Sequence, residues 1–142
     1  MTKLDRMFEQ FQVEALVTLV YAVVSPTGDV EFVNAGHCPP VVVTATGSRL
    51  LSAAPRPPLG TQRARTTPST AHLDPGCALL LYTDGLAERR GEALDVGFAR
   101  LVRHSALLRS GRLSDGLSEL AHTMASDEAH DDIAAIAVRR GR

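Results

Sequence analysis

The chain has no tryptophan, and phenylalanine and tyrosine make up only 4% of its 142 residues. With abundant alanine and arginine, that scarcity points to a GC-rich bacterial genome and says nothing of chemistry. An excess of either charge is also missing: 15 basic and 16 acidic residues give a formal net charge of −1. No electrostatic case exists for nucleic acid or an anionic membrane surface, so any charge-based function must be local. Cysteine is limited to Cys38 and Cys77, each inside an apolar stretch. Two reduced thiols fit this usage better than a disulfide or a thiolate metal site. No apolar run reaches the length of a membrane span, and the opening MTKLDRMFEQ is too charged for the core of a signal peptide. A cytoplasmic protein is expected, with no internal repeat and no low-complexity tract.

Hydrophobic residues make up 44% of the chain. A chain of this length buries about two-thirds of its unfolded surface, enough for one core and one domain, residues 1–142. The stretch Ala15–Val24 is β-branched and nearly all apolar, as expected of a strand buried on both faces. SPTGD then supplies turn chemistry, and VEFVNAG alternates as a hairpin partner. VVVTAT and GSRLL continue the pattern, predicting a meander of three or four adjacent strands. Ser52–Thr70, rich in Pro, Ser, Thr and Arg, is either a functional loop or a weak edge strand. CALLLYT is the most apolar strand in the chain. Two helices follow: one carries Phe98, Leu101, Val102 and Leu108, and the other has Ser114 as N-cap and a stripe of Leu117, Leu120, Ala121 and Met124. DDIAAIAVRR closes the chain as a strand. Strands and helices segregated in this way predict an α+β domain, with helices covering a face of antiparallel sheet.

Acidic residues mark the ends of the two core strands. Asp84 follows CALLLYT, and Asp131 and Asp132 immediately precede the last strand. If those strands are antiparallel neighbours, the three carboxylates share one rim of the sheet. Convergent carboxylates repel one another unless a cation lies between them, and hard oxygen ligands suit Mg²⁺ or Mn²⁺. Gly85 would let the backbone turn sharply beside such an ion. Asp-Gly after a strand is also a common turn, and an Asp pair before one is also a cap or a solvated loop, so the pattern alone leaves both readings open.

FVNAGHCPPVVV, PPLG, LDPGCALLLYTDGLAERR, GFARLV and HDDIAAIAVR occur in that order. Together they resemble the C-terminal part of the bacterial PPM-type (protein phosphatase 2C-like) phosphatases, in the branch of stage II sporulation protein E and the sigma-factor regulators. The resemblance runs from about Val17 to Arg139. It implies a partial αββα sandwich of antiparallel sheets flanked by helices, with two Mn²⁺ or Mg²⁺ ions at one end. It further implies hydrolysis of phosphoserine or phosphothreonine by a metal-activated water, typically in an anti-sigma-factor antagonist. Carried over by position, Asp84 and Asp131 match metal ligands, with Gly85 and Asp132 beside them in support. His130 lies next to the acids, where it would orient one of them or touch a phosphate. The other positions have plainer readings: His37 as a hydrogen-bonded turn residue, Arg89 and Arg90 as a solvated face, and His72, His104 and His122 as surface or core residues.

Relatives also carry an upstream segment with GDxxD-like and GDVxGHG-like motifs, which supplies the aspartate bridging both metals. These 142 residues contain no such motifs. The expectation is therefore an N-terminally incomplete domain without its first strands, with little activity as an isolated chain. Pairing with another chain is one way to complete the sheet. The competing reading is a catalytically inactive interaction module in a partner-switching sigma-factor pathway.

Overall fold

The computed structural model describes residues 2–11, 16–54, 56–61, 67–125 and 132–141. The chain divides into two compact bodies, one of Met1–Pro39 with Ser52–His72 and one of Pro40–Leu51 with Leu73–Arg142. Its elements are helices and antiparallel sheets, an α+β fold. No helix among the described residues is long and apolar enough to cross a membrane.

The first body holds helix α1 (Thr2–Gln10) and a sheet in the order β1-β2-β5, formed by β1 (Leu19–Val24), β2 (Asp29–Ala35) and β5 (Ser69–His72). Strand β2 lies in the middle and alternates as a half-buried strand should: Val30 and Phe32 are buried, Asp29 and Glu31 exposed. Burial of β1 on both faces does not hold. Tyr21 is 59% and Val23 50% exposed, because they stand opposite Val33 and the exposed Glu31 on the solvent-facing side of the sheet, and the β-branched character of β1 reflects strand propensity more than burial. The strand starts at Leu19; Val17 makes an isolated bridge to Leu59, and Ala15 lies outside the described residues. Of the two readings of Ser52–Thr70, the edge strand is seen at its end, where β5 pairs with β2.

The second body carries β3 (Val41–Val43), β4 (Ser48–Leu50), β6 (Ala78–Tyr82) and β7 (Ala135–Arg139) in the antiparallel order β4-β3-β6-β7. The single meander is thus corrected, because β2 and β3 belong to different sheets. Between them, GHCPP offers Gly36 at φ +67° and two prolines that have no N–H to give a ladder. Strand β6 is interior, flanked by β3 and β7, which explains its unbroken apolar run: Ala78, Leu79, Leu80 and Tyr82 are all at most 3% exposed. Helix α2 (Leu94–His104), a 3-10 turn (Ser105–Leu108) and helix α3 (Leu113–Met124) bury Leu101, Leu108, Leu120 and Met124. Ser114 does not cap α3. Arg112 holds the cap position without a side-chain bond, while the Ser114 hydroxyl donates to the Asp115 carboxylate inside the first turn.

A candidate metal-binding strand end

Strands β6 and β7 pair with Tyr82 opposite Ala135 and Ala78 opposite Arg139. The end of β6 and the start of β7 therefore meet at one rim, and Thr83 continues the ladder by donating its N–H to the Ala134 carbonyl at 2.9 Å. The Thr83 side chain adds a second clasp. Its hydroxyl donates to the Asp132 carbonyl at 2.9 Å and accepts the Ala134 N–H at 2.9 Å. One side chain thus ties the residue before Asp84 to the segment beginning at Asp132.

Beyond Thr83 the backbone tightens into a 3-10 turn, Asp84–Leu86. The Leu86 N–H reaches the Thr83 carbonyl, and the Ala87 and Glu88 N–H groups both reach the Asp84 carbonyl, at 2.7 and 2.8 Å. The Asp84 side chain stays exposed, with Oδ1 accepting the Gly85 N–H at 2.9 Å, while Gly85, Leu86 and Ala87 are buried. Gly85 is not among the glycines of positive φ, so its left-handed freedom is not what makes this turn. A buried, backbone-bonded turn is a rigid mount for one solvent-facing carboxylate.

The mount is braced from below. Arg100 of α2 donates Nη2 to the Ala87 carbonyl at 3.0 Å and Nη1 to the Glu92 carboxylate at 2.7 Å. Both partners of this ion pair are mostly shielded, at 15% and 26% side-chain exposure, so it is less screened than a surface pair. Arg89 is half-buried beside the last turn of α3, and Arg90 is exposed.

Asp132 is exposed at the same rim as Asp84. Asp131 and His130 lie outside the described residues. Among the described residues no group of three or more His, Cys, Asp or Glu side chains could hold a metal ion. The carboxylate oxygens of Asp84 and Asp132 are hard donors of the kind that Mn²⁺ and Mg²⁺ prefer. The donor set therefore suits such an ion as part of its coordination.

The remaining histidines sit apart from this rim in role. His37 is stitched into its turn: its N–H donates to Asn34 Oδ1 at 2.7 Å, its carbonyl accepts Asn34 Nδ2 at 2.8 Å, and Nδ1 lies 2.8 Å from the Thr18 hydroxyl. His72 Nδ1 lies 2.9 Å from Asp29 across the β2–β5 pair. Thr83 and Arg100 escaped the sequence-based selection. A hydroxyl residue directly before the strand-end aspartate was a visible signal for Thr83; Arg100, an ordinary helix residue by pattern, had none.

Comparison with known proteins identifies the architecture. A Mycobacterium tuberculosis structure containing RsbU and RsbW domains superposes with a TM-score of 0.85 at 28% identity, over 96% of this chain and 40% of that one. The phosphatase domain of Bacillus subtilis SpoIIE, presoaked with Mn, matches with a TM-score of 0.65 at 18% identity, over 87% of this chain and 56% of that one. The serine/threonine phosphatase PstP/Ppp of Mycobacterium tuberculosis matches with a TM-score of 0.68 at 11% identity, over 99% of this chain and 68% of that one. The fold is thus a partial PP2C-type (PPM-type) phosphatase fold, and the chain spans about half or less of the first two structures. The family model of stage II sporulation protein E matches residues 1–141, and the chain belongs to that family.

Proposed function

We propose that this chain supplies one carboxylate-bearing rim of a metal-dependent serine/threonine phosphatase site. The observation that carries the reading is the Thr83 clasp, which fixes Asp84 and the segment starting at Asp132 at one end of the β6–β7 pair. Asp84 and Asp131 would hold a divalent ion, Mn²⁺ or Mg²⁺, with Asp132 and the Gly85 backbone supporting them and His130 at hand for a phosphate or a neighbouring acid. When bound, such ions supply an activated water for in-line attack on phosphorus. The chain's own residues have a positional role: the buried 3-10 turn presents the Asp84 carboxylate, and Arg100 keeps that turn from moving. The substrate class is a phosphoserine or phosphothreonine in a regulatory protein of the anti-sigma-factor-antagonist type, and family membership supports it.

Two carboxylates hold Mg²⁺ or Mn²⁺ weakly without further ligands. The isolated 142-residue polypeptide is therefore expected to bind Mn²⁺ weakly and to turn over little substrate. The second reading is a metal-free interaction module for a partner-switching pathway, in which the same sheet surface would act without an ion. Calorimetric Mn²⁺ titration of the wild type and Asp84→Asn, beside a phosphoserine-peptide hydrolysis assay, separates them. A weak Mn²⁺ site lost in Asp84→Asn supports the phosphatase reading; no Mn²⁺ site at all supports the module. Robust hydrolysis by the isolated chain, abolished by Asp84→Asn, would overturn the expected dependence on further ligands.

A further inference from the structure

Strand β7 ends the second body's sheet at one edge and pairs with β6 alone. The bonds from the Thr83 N–H to the Ala134 carbonyl and from the Arg140 N–H to the Cys77 carbonyl fix which residues face β6. By antiparallel alternation Ala134, Ile136, Val138 and Arg140 turn their backbone groups inward, so Ala135, Ala137 and Arg139 turn theirs outward. Among the described residues, nothing bonds to those outward N–H and C=O groups.

Native sheet edges are ordinarily blunted by brevity, charge, proline or a bulge. Strand β4, at the far edge of the same sheet, has two of these: it is three residues long and carries an exposed Arg49 at its centre. Strand β7 has none of them along its middle. It pairs one residue to one over Ala135–Arg139 without a bulge and contains no proline. Its single charge is at the last position, where the Arg139 guanidinium is held by the Leu108 and Gly111 carbonyls. Beside the open backbone, Ile136 is 59% and Val138 44% exposed, on the face they share with Leu81 and Leu79 opposite them.

We propose that this edge pairs with the same edge of a second copy of the chain, antiparallel about a twofold axis at Ala137. The strand is self-complementary in that register. Ala137 meets its own copy and Ala135 meets Arg139, so every outward backbone group of β7 finds a partner. Ile136 of each copy then stands opposite Val138 of the other, a favourable β-branched pair that extends the exposed apolar face, and no arginine faces an arginine. Moving the axis to Ile136 or Val138 would leave one outward residue facing beyond the end of the partner strand. Charge selects the direction: β7 follows Asp132 and ends on Arg139, so an antiparallel partner brings acidic start towards basic end, whereas a parallel one would set like beside like. Five residues extend about 17 Å, so the contact lies at the small end of specific interfaces and the dimer is weak and concentration-dependent.

Sedimentation equilibrium of the full 142-residue protein, from about 10 μM to about 1 mM with a chelator present, tests this. A shift from monomer to dimer across that range is expected. Amide exchange followed by NMR should slow at Ala135, Ala137 and Arg139 as concentration rises, and hold steady at Ile136 and Val138, which β6 already protects. Mixed labelled and unlabelled chains should show an Hα–Hα contact between Ile136 of one copy and Val138 of the other. Ile136→Lys, an exposed change, is expected to weaken association at least about tenfold. Ala137→Pro, which removes a donor that β6 does not use, is expected to abolish it. A monomer at about 1 mM overturns the proposal, as does a dimer indifferent to Ile136→Lys. Slow exchange at Ala135 and Ala137 in the dilute monomer overturns it too, since the edge is then covered within one chain. A dimer that forms only when Mn²⁺ replaces the chelator overturns it in favour of bridging at the Asp84 rim.

Discussion

Replacing Gly97 by alanine sets two physical effects against each other. Gly97 lies inside helix α2, where alanine is favoured over glycine by about 1 kcal/mol. On propensity alone the variant gains stability. Yet an alanine Cβ there would sit 2.1 Å from the Ala87 carbonyl oxygen and 2.9 Å from its carbon. Helix and loop would have to separate by roughly 1 Å to restore ordinary van der Waals contact. Ala87 has no room to retreat: it is fully buried, its carbonyl takes the Arg100 bond at 3.0 Å, and its N–H holds the Asp84 carbonyl at 2.7 Å. Overpacking of this kind costs about 1–3 kcal/mol, and a stretched Arg100 bond adds about 1 kcal/mol. Against the propensity gain, Gly97→Ala is expected to destabilise by about 1–3 kcal/mol. Urea unfolding followed by far-ultraviolet circular dichroism measures it, the chain having no tryptophan to report by fluorescence. Gly47→Ala is the control, since a Cβ at Gly47 meets nothing within 4 Å, and it should stay within about 0.5 kcal/mol of the wild type. A Gly97→Ala protein as stable as the wild type, or more so, would refute the close approach of α2 to the Asp84 turn.

Thr83→Val removes both 2.9 Å hydroxyl bonds at a half-buried site and is expected to cost about 1–2 kcal/mol, with Thr83→Ser recovering most of it. Urea midpoints of the three proteins check this, and equal midpoints would show that the clasp contributes nothing. The Asp29 carboxyl is held below its ordinary pKa, first by the Thr27 hydroxyl donating to Oδ2 at 2.6 Å and then by His72. A lowered folded-state pKa stabilises the fold above the unfolded carboxyl pKa, and that contribution disappears as pH falls through the folded value. Asp29→Asn should therefore flatten the acid limb of the stability–pH curve and leave its slope near neutrality alone.

Much of this was legible in the sequence. CALLLYT, with polar residues on both sides, had to be an interior strand, and β6 is one. The hairpin β1–β2 followed from the turn chemistry of SPTGD. Three things did not show. That β2 and β3 part into different sheets depends on where each backbone ladder finds its partner, a non-local choice that alternation does not encode. The exposure of Tyr21 and Val23 was hidden because strand propensity and burial favour the same residues. The start of α3 at Leu113 was missed because Ser114 has the right chemistry for a cap but spends its hydroxyl on Asp115. Of the candidate site, Asp84 was legible as a strand-end carboxylate, whereas the parts that hold it depend on contacts across 13 to 51 positions.

The register of β7 shows why those contacts matter for the site. Ile136 is 59% and Val138 44% exposed, while the smaller Ala135 and Ala137 occupy the more buried face with Arg139. Apolar burial alone would prefer the strand slipped by one residue, which exchanges every side chain between faces. Such a slip would also carry Asp132 one step along the rim relative to Asp84. Polar anchors oppose it at both ends. Thr83 clasps Asp132 and Ala134 at one, while Arg139 holds the carbonyls of Leu108 and Gly111 at the other, with the Arg140 backbone pinned to Gly76 and Cys77. Net hydrogen bonds of about 1 kcal/mol each, several acting together, are enough to outweigh the transfer of one or two half-exposed aliphatic side chains. The strand that follows Asp132 is therefore set by its polar ends, and substitutions at Thr83 or Arg139 should disturb the placing of Asp132 beside Asp84 more than substitutions at Ile136 or Val138.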